Sequence, residues 1–595
     1  MEETNPSCVK SNFPIILVAA VAQGMGLYFL HEAIQVHVWS ANGLAWVTAL
    51  YAAVVFGPLS IQLLARYVRL PVMWGWVGFI TLSFFYFGWH EGATRLLRGG
   101  EFRSPFEDFF TFGMPLTVLW LLLMPFVQGR LEGGRWRIAY SGLFANAWRN
   151  ELVLAEAALF TGLFWLLLEL WQTLFTMLKI GFFQQLFDEP LFVYPVTALT
   201  FGIALHLIGS IDRLTSVVLE QLLNVLKWLA IVAGILLLLF TVALVFRLPA
   251  LVLAGEHAIG ATWLLWLVAV LVLLLNAAFR DGSVETPYPK MIARALRFTV
   301  PLLLIVSITA TYALAIRVHQ HGITVQRVWG FVVAVILFLY AGGYSIAAFS
   351  RAPWMAGIAR VNVWVAIVLM VVITLTLTPA LPPERLAATS QFELILARQT
   401  AAPRYDESSE NTPFSYLRFD SGTYGLARLK QLSVVSHGAG ADRIRRLAAA
   451  ELAGDWKGAA WLEEHLVRLR DILSKLPVYP AGRTLDPDLL DALVAYERNN
   501  REMAAVDGST ANNCAGVFVD LDGDGVEEFE LVHIWGGWVF EHRATGWQFA
   551  ARSARPTGNL DWSEIRTALE KGDFSSQPAR WKQLVIGDRS FRTAD

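Results

Sequence analysis

Residues 226–240 read LKWLAIVAGILLLLF, and residues 262–275 read TWLLWLVAVLVLLL. Lys227 is the only charged residue in either stretch. A helix that is apolar all round has no face to offer water, and about 20 such residues cross about 30 Å of hydrocarbon. These two stretches therefore read as membrane spans. Working outward from them, eleven segments meet the same standard, at roughly 13–32, 43–64, 70–90, 109–128, 152–173, 190–210, 222–246, 258–279, 298–317, 328–349 and 359–380. The short stretch GFFQQLFDEP at 181–190 is too polar to span. It reads either as a helix lying in the membrane interface or as a plain connector.

Composition agrees with the spans. Of the 595 residues, 55% are hydrophobic and 16% charged, against about 25% charged in an ordinary soluble domain. The mean hydropathy is +0.49. These values exclude a disordered chain, a disulfide scaffold and a soluble single-domain enzyme. The net charge of -2 gives no reason to expect nucleic acid as a partner. Cys8 and Cys514 stand far apart, with no metal or redox spacing.

The charge is unevenly placed. Residues 382–595 hold 25 of the 47 Lys and Arg and 31 of the 49 Asp and Glu. The chain thus divides into a transmembrane helical domain, 1–381, and a soluble α+β domain, 382–595, joined at TPALPPERL. With the N-terminus inside, loops and helix ends on the cytoplasmic side take 15 basic residues and the other side 7. The positive-inside rule then sets the N-terminus in the cytoplasm. Eleven is odd, so the C-terminal domain is expected in the periplasm. A competing reading takes Lys10, the first apolar run and Ala20-Val21-Ala22 as a cleaved signal peptide, which would leave ten spans.

An ionisable group inside hydrocarbon is costly and is a functional candidate by default. His31 and Glu32 in the first span, Glu156 and Glu169 in the fifth and His206 in the sixth are those candidates. Glu156 and Glu169 point about 140° apart and sit about 20 Å apart along one helix. They cannot form a carboxylate pair. The alternative for all five is snorkelling to water or a hydrogen bond to a neighbouring helix.

In the soluble domain, 384–400, 424–453, 456–476 and 486–500 have helical spacing. GVFVDL, FELVHIWGGWVF, WQFAARSA and WKQLVIGDRSFR read as strands of a small antiparallel sheet, with DWSEIRTALEKG a helix. The clearest chemical pattern is VFVDLDGDGVEEFELV at 517–532. Asp520, Asp522 and Asp524 alternate round a turn freed by two glycines. Val526 can offer a carbonyl and Glu528 a carboxylate. Hard oxygen ligands at alternate positions suit Ca²⁺. Leu531 stands where an EF-hand needs Glu, and strands flank the loop, so this is not an EF-hand. The loop resembles the calcium-binding DxDxDG hairpins that lie between strands in propeller and adhesion domains. Its alternative is a solvated Asp-Gly turn without metal.

Three stretches carry a wider resemblance: GITVQRVWGFVVAVILFLYAGGYSIAAF at 322–349, LPPERLAATSQFELIL at 381–396 and FSYLRFDSGTYGLARL at 414–429. Thr324, Arg327 and Trp329 match one motif. Pro383, Arg385, Leu386, Ser390 and Gln391 match a second. Tyr416, Leu417, Arg418, Phe419, Gly422, Tyr424 and Gly425 match a third. Together they resemble an uncharacterised bacterial membrane-protein family, domain of unknown function 4153. That resemblance implies a bacterial origin and this architecture, and no activity. Read from the residues alone, the third run is a turn packed by its aromatic side chains.

The sequence holds no Ser/His/Asp cluster, HExxH, Walker loop or dinucleotide loop, which weakens an enzyme reading without removing it. The expected function is that of a non-enzymatic scaffold or sensor in the inner membrane, with a calcium-stabilised periplasmic domain. The bilayer, and envelope proteins or lipids, are its expected partners. A transporter or lipid-handling protein is the second reading. A membrane enzyme acting on an envelope substrate is the third.

Overall fold

The computed structural model describes residues 12–35, 43–95, 109–134, 139–210, 212–254, 260–281, 287–350, 356–397, 412–438, 440–453, 459–503, 506, 514–533, 536–553, 562–576, 584–586 and 589–591. Cys8 lies outside the described residues. The chain forms two compact units. One comprises Met1–Thr400 with Tyr416–Gln431, and the other Ala401–Ser415 with Leu432–Asp595. The change in packing thus falls later than the change in composition at 382.

In the first unit α1 is Phe13–Gln35, α2 Leu44–Leu63, α3 Pro71–Thr94, α4 Met114–Gly133, α5 Tyr140–Met177, α6 Phe182–Asp188 and α7 Pro190–Ser210. There follow α8 Asp212–Ala254, α9 Ala261–Phe279, α10 Lys290–Thr299, α11 Leu302–His321, α12 Val325–Phe349 and α13 Ile358–Thr376. Then come α14 Pro383–Ala397, α15 Pro413–Phe419, which belongs to this unit from Tyr416 on, and α16 Gly422–Leu432, which belongs to it up to Gln431. Eleven of the described helical segments are long and apolar enough to cross a membrane, α10 and α11 counting as one crossing interrupted at Pro301. All eleven expected spans are present. The fifth and seventh belong to helices of 38 and 43 residues, longer than their apolar runs. Proline starts α3 at its first turn, where a missing N–H costs no hydrogen bond.

Lipid offers no hydrophobic drive for helices to pair, so close packing and hydrogen bonds must hold them. The α2–α3 contact shows how. Gly88 and Gly92, four residues apart on α3, face the backbone of α2. A Cβ at Gly88 would lie 2.6 Å from the Thr48 carbonyl oxygen, and one at Gly92 2.6 Å from that of Leu44. The helices meet backbone to backbone, and only glycine allows it.

The apolar interior has two parts. One gathers Phe56 of α2, Ile80 and Phe84 of α3, Trp120 and Met124 of α4, and Ile373 and Leu377 at the end of α13. The other gathers Leu237 of α8, Val268 of α9, Leu303 of α11, Ala341 and Tyr344 of α12, and Ile358 at the start of α13. α13 therefore runs from one core to the other.

Asn362 on α13 ties that helix to three others. Its Nδ2 donates to the Tyr140 hydroxyl at 2.7 Å and to Asn276 Oδ1 at 2.5 Å, while its Oδ1 accepts from the Tyr344 hydroxyl at 2.5 Å. Asn276 in turn donates to the Val272 carbonyl.

At the far end of the bundle the three motif-bearing stretches meet. Gly322, at φ +72, turns the chain between α11 and α12, and Thr324 caps α12 by accepting from the Arg327 N–H. Gln391 of α14 donates to the carbonyls of His321 and Ile323, and the Ile323 N–H donates to Ser390 Oγ. The Val325 N–H donates to the Tyr416 hydroxyl at 2.7 Å. Burial pushes the Tyr416 phenol well above its ordinary range, so it stays neutral while its oxygen accepts from the Val325 N–H. Gly422, at φ +55, opens α16 directly against the Thr94 carbonyl of α3. The 414–429 run is thus two helices with a tight turn between them.

In the second unit α17 is Ala441–Ala453, α18 Ala459–Ser474, α19 Pro487–Asn500 and α20 Trp562–Lys571. The strands are β1 Val478–Tyr479, β2 Cys514–Val519, β3 Glu528–His533, β4 Gly536–Arg543, β5 Gly546–Ser553, β6 Leu584–Ile586 and β7 Arg589–Phe591. β1 to β5 form one sheet in sequence order, and β6 and β7 form a separate hairpin. The expected antiparallel sheet is in fact mixed, because β1 pairs with β2 in parallel. The single helical stretch expected at 424–453 is also two helices, α16 and α17, and VSHGAG at 435–440 lies between them. β2 is apolar without alternation because both of its faces are covered. Cys514 and Phe518 face the core with α18 and α19, while Ala515 and Val517 face a smaller cluster with Leu569 of α20.

Two outcomes follow from this packing. Asn362→Leu removes the oxygen that accepts from the fully buried Tyr344 hydroxyl and both donors to Tyr140 and Asn276, and should cost about 1–3 kcal/mol, read as a lower Tm of the detergent-solubilised protein. Gly88→Ala should lower the Tm by forcing α2 and α3 apart. Gly75→Ala, with open space at its Cβ, should leave the Tm unchanged or slightly raised.

Candidate functional site

The β2–β3 hairpin carries the densest chemistry. The two strands pair up to Val519 opposite Glu528, leaving 520–527 as the loop. Gly523 and Gly525 take φ +82 and +89, a region glycine enters without strain. With the chain turned this way, backbone donors point inward. The N–H groups of Gly523 and Gly525 donate to the two carboxylate oxygens of Asp520, at 2.7 and 3.1 Å. Asp524 N–H donates to Asp522 Oδ1 and Val526 N–H to Asp524 Oδ1. Leu521 N–H donates to Glu528 Oε2 at 2.6 Å, which holds that carboxylate over the loop. Glu528 is buried, Asp520 half-buried and Asp522 exposed.

Asp520, Asp522 and Glu528 each place a carboxylate oxygen within 4.8 Å of the others. Carboxylate oxygens this close could be ligands of one metal ion. Of the other two expected ligands, Asp524 stands outside this triad and its carboxylate caps the Val526 N–H. Val526 is exposed. Glu527 points elsewhere, pairing with Arg483 at 2.5 Å.

The five ionisable candidates of the spans do not form one site. His31, near the end of α1, has its Nδ1 3.2 Å from the Tyr194 hydroxyl of α7, and Glu32 follows it half-buried. His206 lies against Phe13 at the opposite end of α1, ring centroids 4.9 Å apart. Glu156 is half-buried and Glu169 exposed on the same helix, α5.

Several of the groups that converge inside the bundle are neutral. Besides the Asn362 cluster, Gln128 of α4 and Asn150 of α5 exchange two hydrogen bonds, at 3.1 and 2.9 Å. Gln62 donates to Gln23, which donates to the Val55 carbonyl. Trp120 donates to Ser60 Oγ at 2.8 Å. A search restricted to ionisable residues passes over these amides. Asn and Gln within apolar runs were the signal that could have found them. In the second unit, a buried His465 lies 3.0 Å from Glu497, whose other oxygen accepts from the Met503 N–H at 2.6 Å.

No family model matches the chain, and neither a curated protein nor a solved structure matches it.

Because Glu169 faces outward from α5, Glu169→Gln should leave both folding and Tm unchanged. A large drop in Tm would show that its charge is held by a structural partner.

Proposed function

We propose that this chain is a multi-pass protein of a bacterial inner membrane whose second unit stands in the periplasm, binds Ca²⁺ and acts as a scaffold or sensor. One observation carries the calcium part of this reading: Asp520, Asp522 and Glu528 converge to within 4.8 Å at the mouth of the β2–β3 hairpin. Three carboxylates this close repel one another, and a cation relieves that repulsion. The ion would join the end of β2 to the start of β3. It would fix the hairpin on which β4 and β5 are built, supplying stability and no chemistry. A bacterial envelope setting is supported by the resemblance to domain of unknown function 4153 and by the excess of basic residues at one set of helix ends. A scaffold reading draws further support from the spans, where neutral amides and hydroxyls of several helices bond to one another.

A ligand that binds only the folded state stabilises it by RT ln(1 + [L]/Kd), about 1.4 kcal/mol at ten times Kd. The full-length protein in detergent should therefore melt a few degrees higher in millimolar Ca²⁺ than in chelator. Mg²⁺ at the same concentration should do less. The Asp522→Asn, Glu528→Gln double variant should lose the difference. Equal melting in Ca²⁺ and chelator, with no metal found by elemental analysis, would leave the loop a plain turn.

A further inference from the structure

The end of α5 and the short helix α6 form a projection whose surface is apolar. From Leu166 to Glu189 the chain contains no buried residue. Leu174 is 52% exposed, Met177 74%, Leu178 69% and Phe182 61%. α6 folds back along α5, with Phe183 placed 5.6 Å from Trp171 and 4.6 Å from Phe175 between ring centroids.

Neighbouring contacts fix the level of this projection. Trp165 Nε1 donates to Thr197 Oγ1, and the Trp165 ring meets Phe192 edge-on, so this part of α5 runs beside the first turns of α7. Trp165 therefore stands level with Thr197, about two turns short of the end of α7 at Pro190. The twelve residues from Trp165 to Met177 rise about 18 Å further. α7 rises only about 10 Å between Thr197 and its start at Pro190. The projection thus passes the end of α7 by roughly 8 Å.

The geometry points to an interfacial anchor: the last turns of α5 and α6 lie in the headgroup–acyl boundary of the bilayer that the bundle spans. Two observations choose lipid over a protein partner. The exposed apolar strip is continuous with the outward residues Leu159, Leu163 and Leu167 of the span itself, which face lipid. The projection also mixes Trp and Phe with Lys179, Gln184, Gln185, Asp188 and Glu189. Amphipathic aromatic rings and flanking polar groups collect at that depth. In water, so much contiguous apolar surface would be an association site.

The test places single nitroxide labels at Leu178→Cys and Phe182→Cys, with the exposed Ser436→Cys as the water reference, each in a Cys8→Ser, Cys514→Ser background. The full chain is reconstituted in phosphatidylcholine vesicles, and collisions with oxygen and with a water-soluble nickel chelate are measured. Labels at 178 and 182 should show oxygen-to-nickel collision ratios several-fold above that at 436, in variants whose Tm matches the parent. A ratio at 182 equal to that at 436 would place the projection in water and overturn the proposal. A label reached by neither reagent would mean a protein contact and overturn it equally. Should one variant fail to fold, Met177→Cys serves in its place.

Discussion

Polar groups carried into hydrocarbon must find their partners inside the protein, and the contacts of Asn362 are where this structure meets that requirement most fully. One amide uses its donors on Tyr140 and Asn276 and its oxygen on Tyr344, joining α5, α9, α12 and α13. α13 also contributes its first residue to one apolar core and its last turns to the other. A leucine there would still pack, since lipid and leucine are equally apolar. It would not dictate which four helices meet. Directional bonds among neutral groups give specificity without the desolvation cost of a buried charge.

The same logic orders the opposite end of the bundle. A turn between two spans exposes backbone N–H and carbonyl groups just where the membrane ends. Here Gln391, Ser390 and Tyr416, distant in sequence, take up the groups of residues 321–325. That explains why a soluble-looking stretch such as 416–431 belongs with the helices: its side chains complete a turn the spans cannot complete alone. Composition places the boundary at 382 because it counts charges. Packing places it later because α14 and α16 are held by hydrogen bonds and by glycine contact.

The spans were legible because an unbroken apolar run of 20 residues has few other uses, and α8 and α9 announce themselves. The hairpin was legible too: DLDGDG between Val- and Phe-rich strands needs glycine at its turns, and both glycines take positive φ. Less legible was which residues would converge. Ionisable groups drew attention, yet His31 and His206 sit at opposite ends of one helix, while the amides of Gln128, Asn150, Asn276 and Asn362 do the joining. The contact of Gly88 and Gly92 with α2 was not legible, since periodicity within one helix says nothing about the facing backbone. Likewise β1, two residues long, carries no pattern of its own and exists only because β2 offers an edge. Asp524 fits the ligand spacing by sequence and is turned to its own loop by the Val526 N–H.

The topology we propose puts an odd number of crossings between the α7–α8 connection and the second unit, and so sets them on opposite sides of the membrane. Single cysteines at Ser210 and Ser436, in a chain lacking the two native thiols, can be exposed to an impermeant maleimide in sealed vesicles of one orientation. The account predicts that one of the two is labelled before lysis and the other only afterwards. Labelling of both from the same side would contradict it.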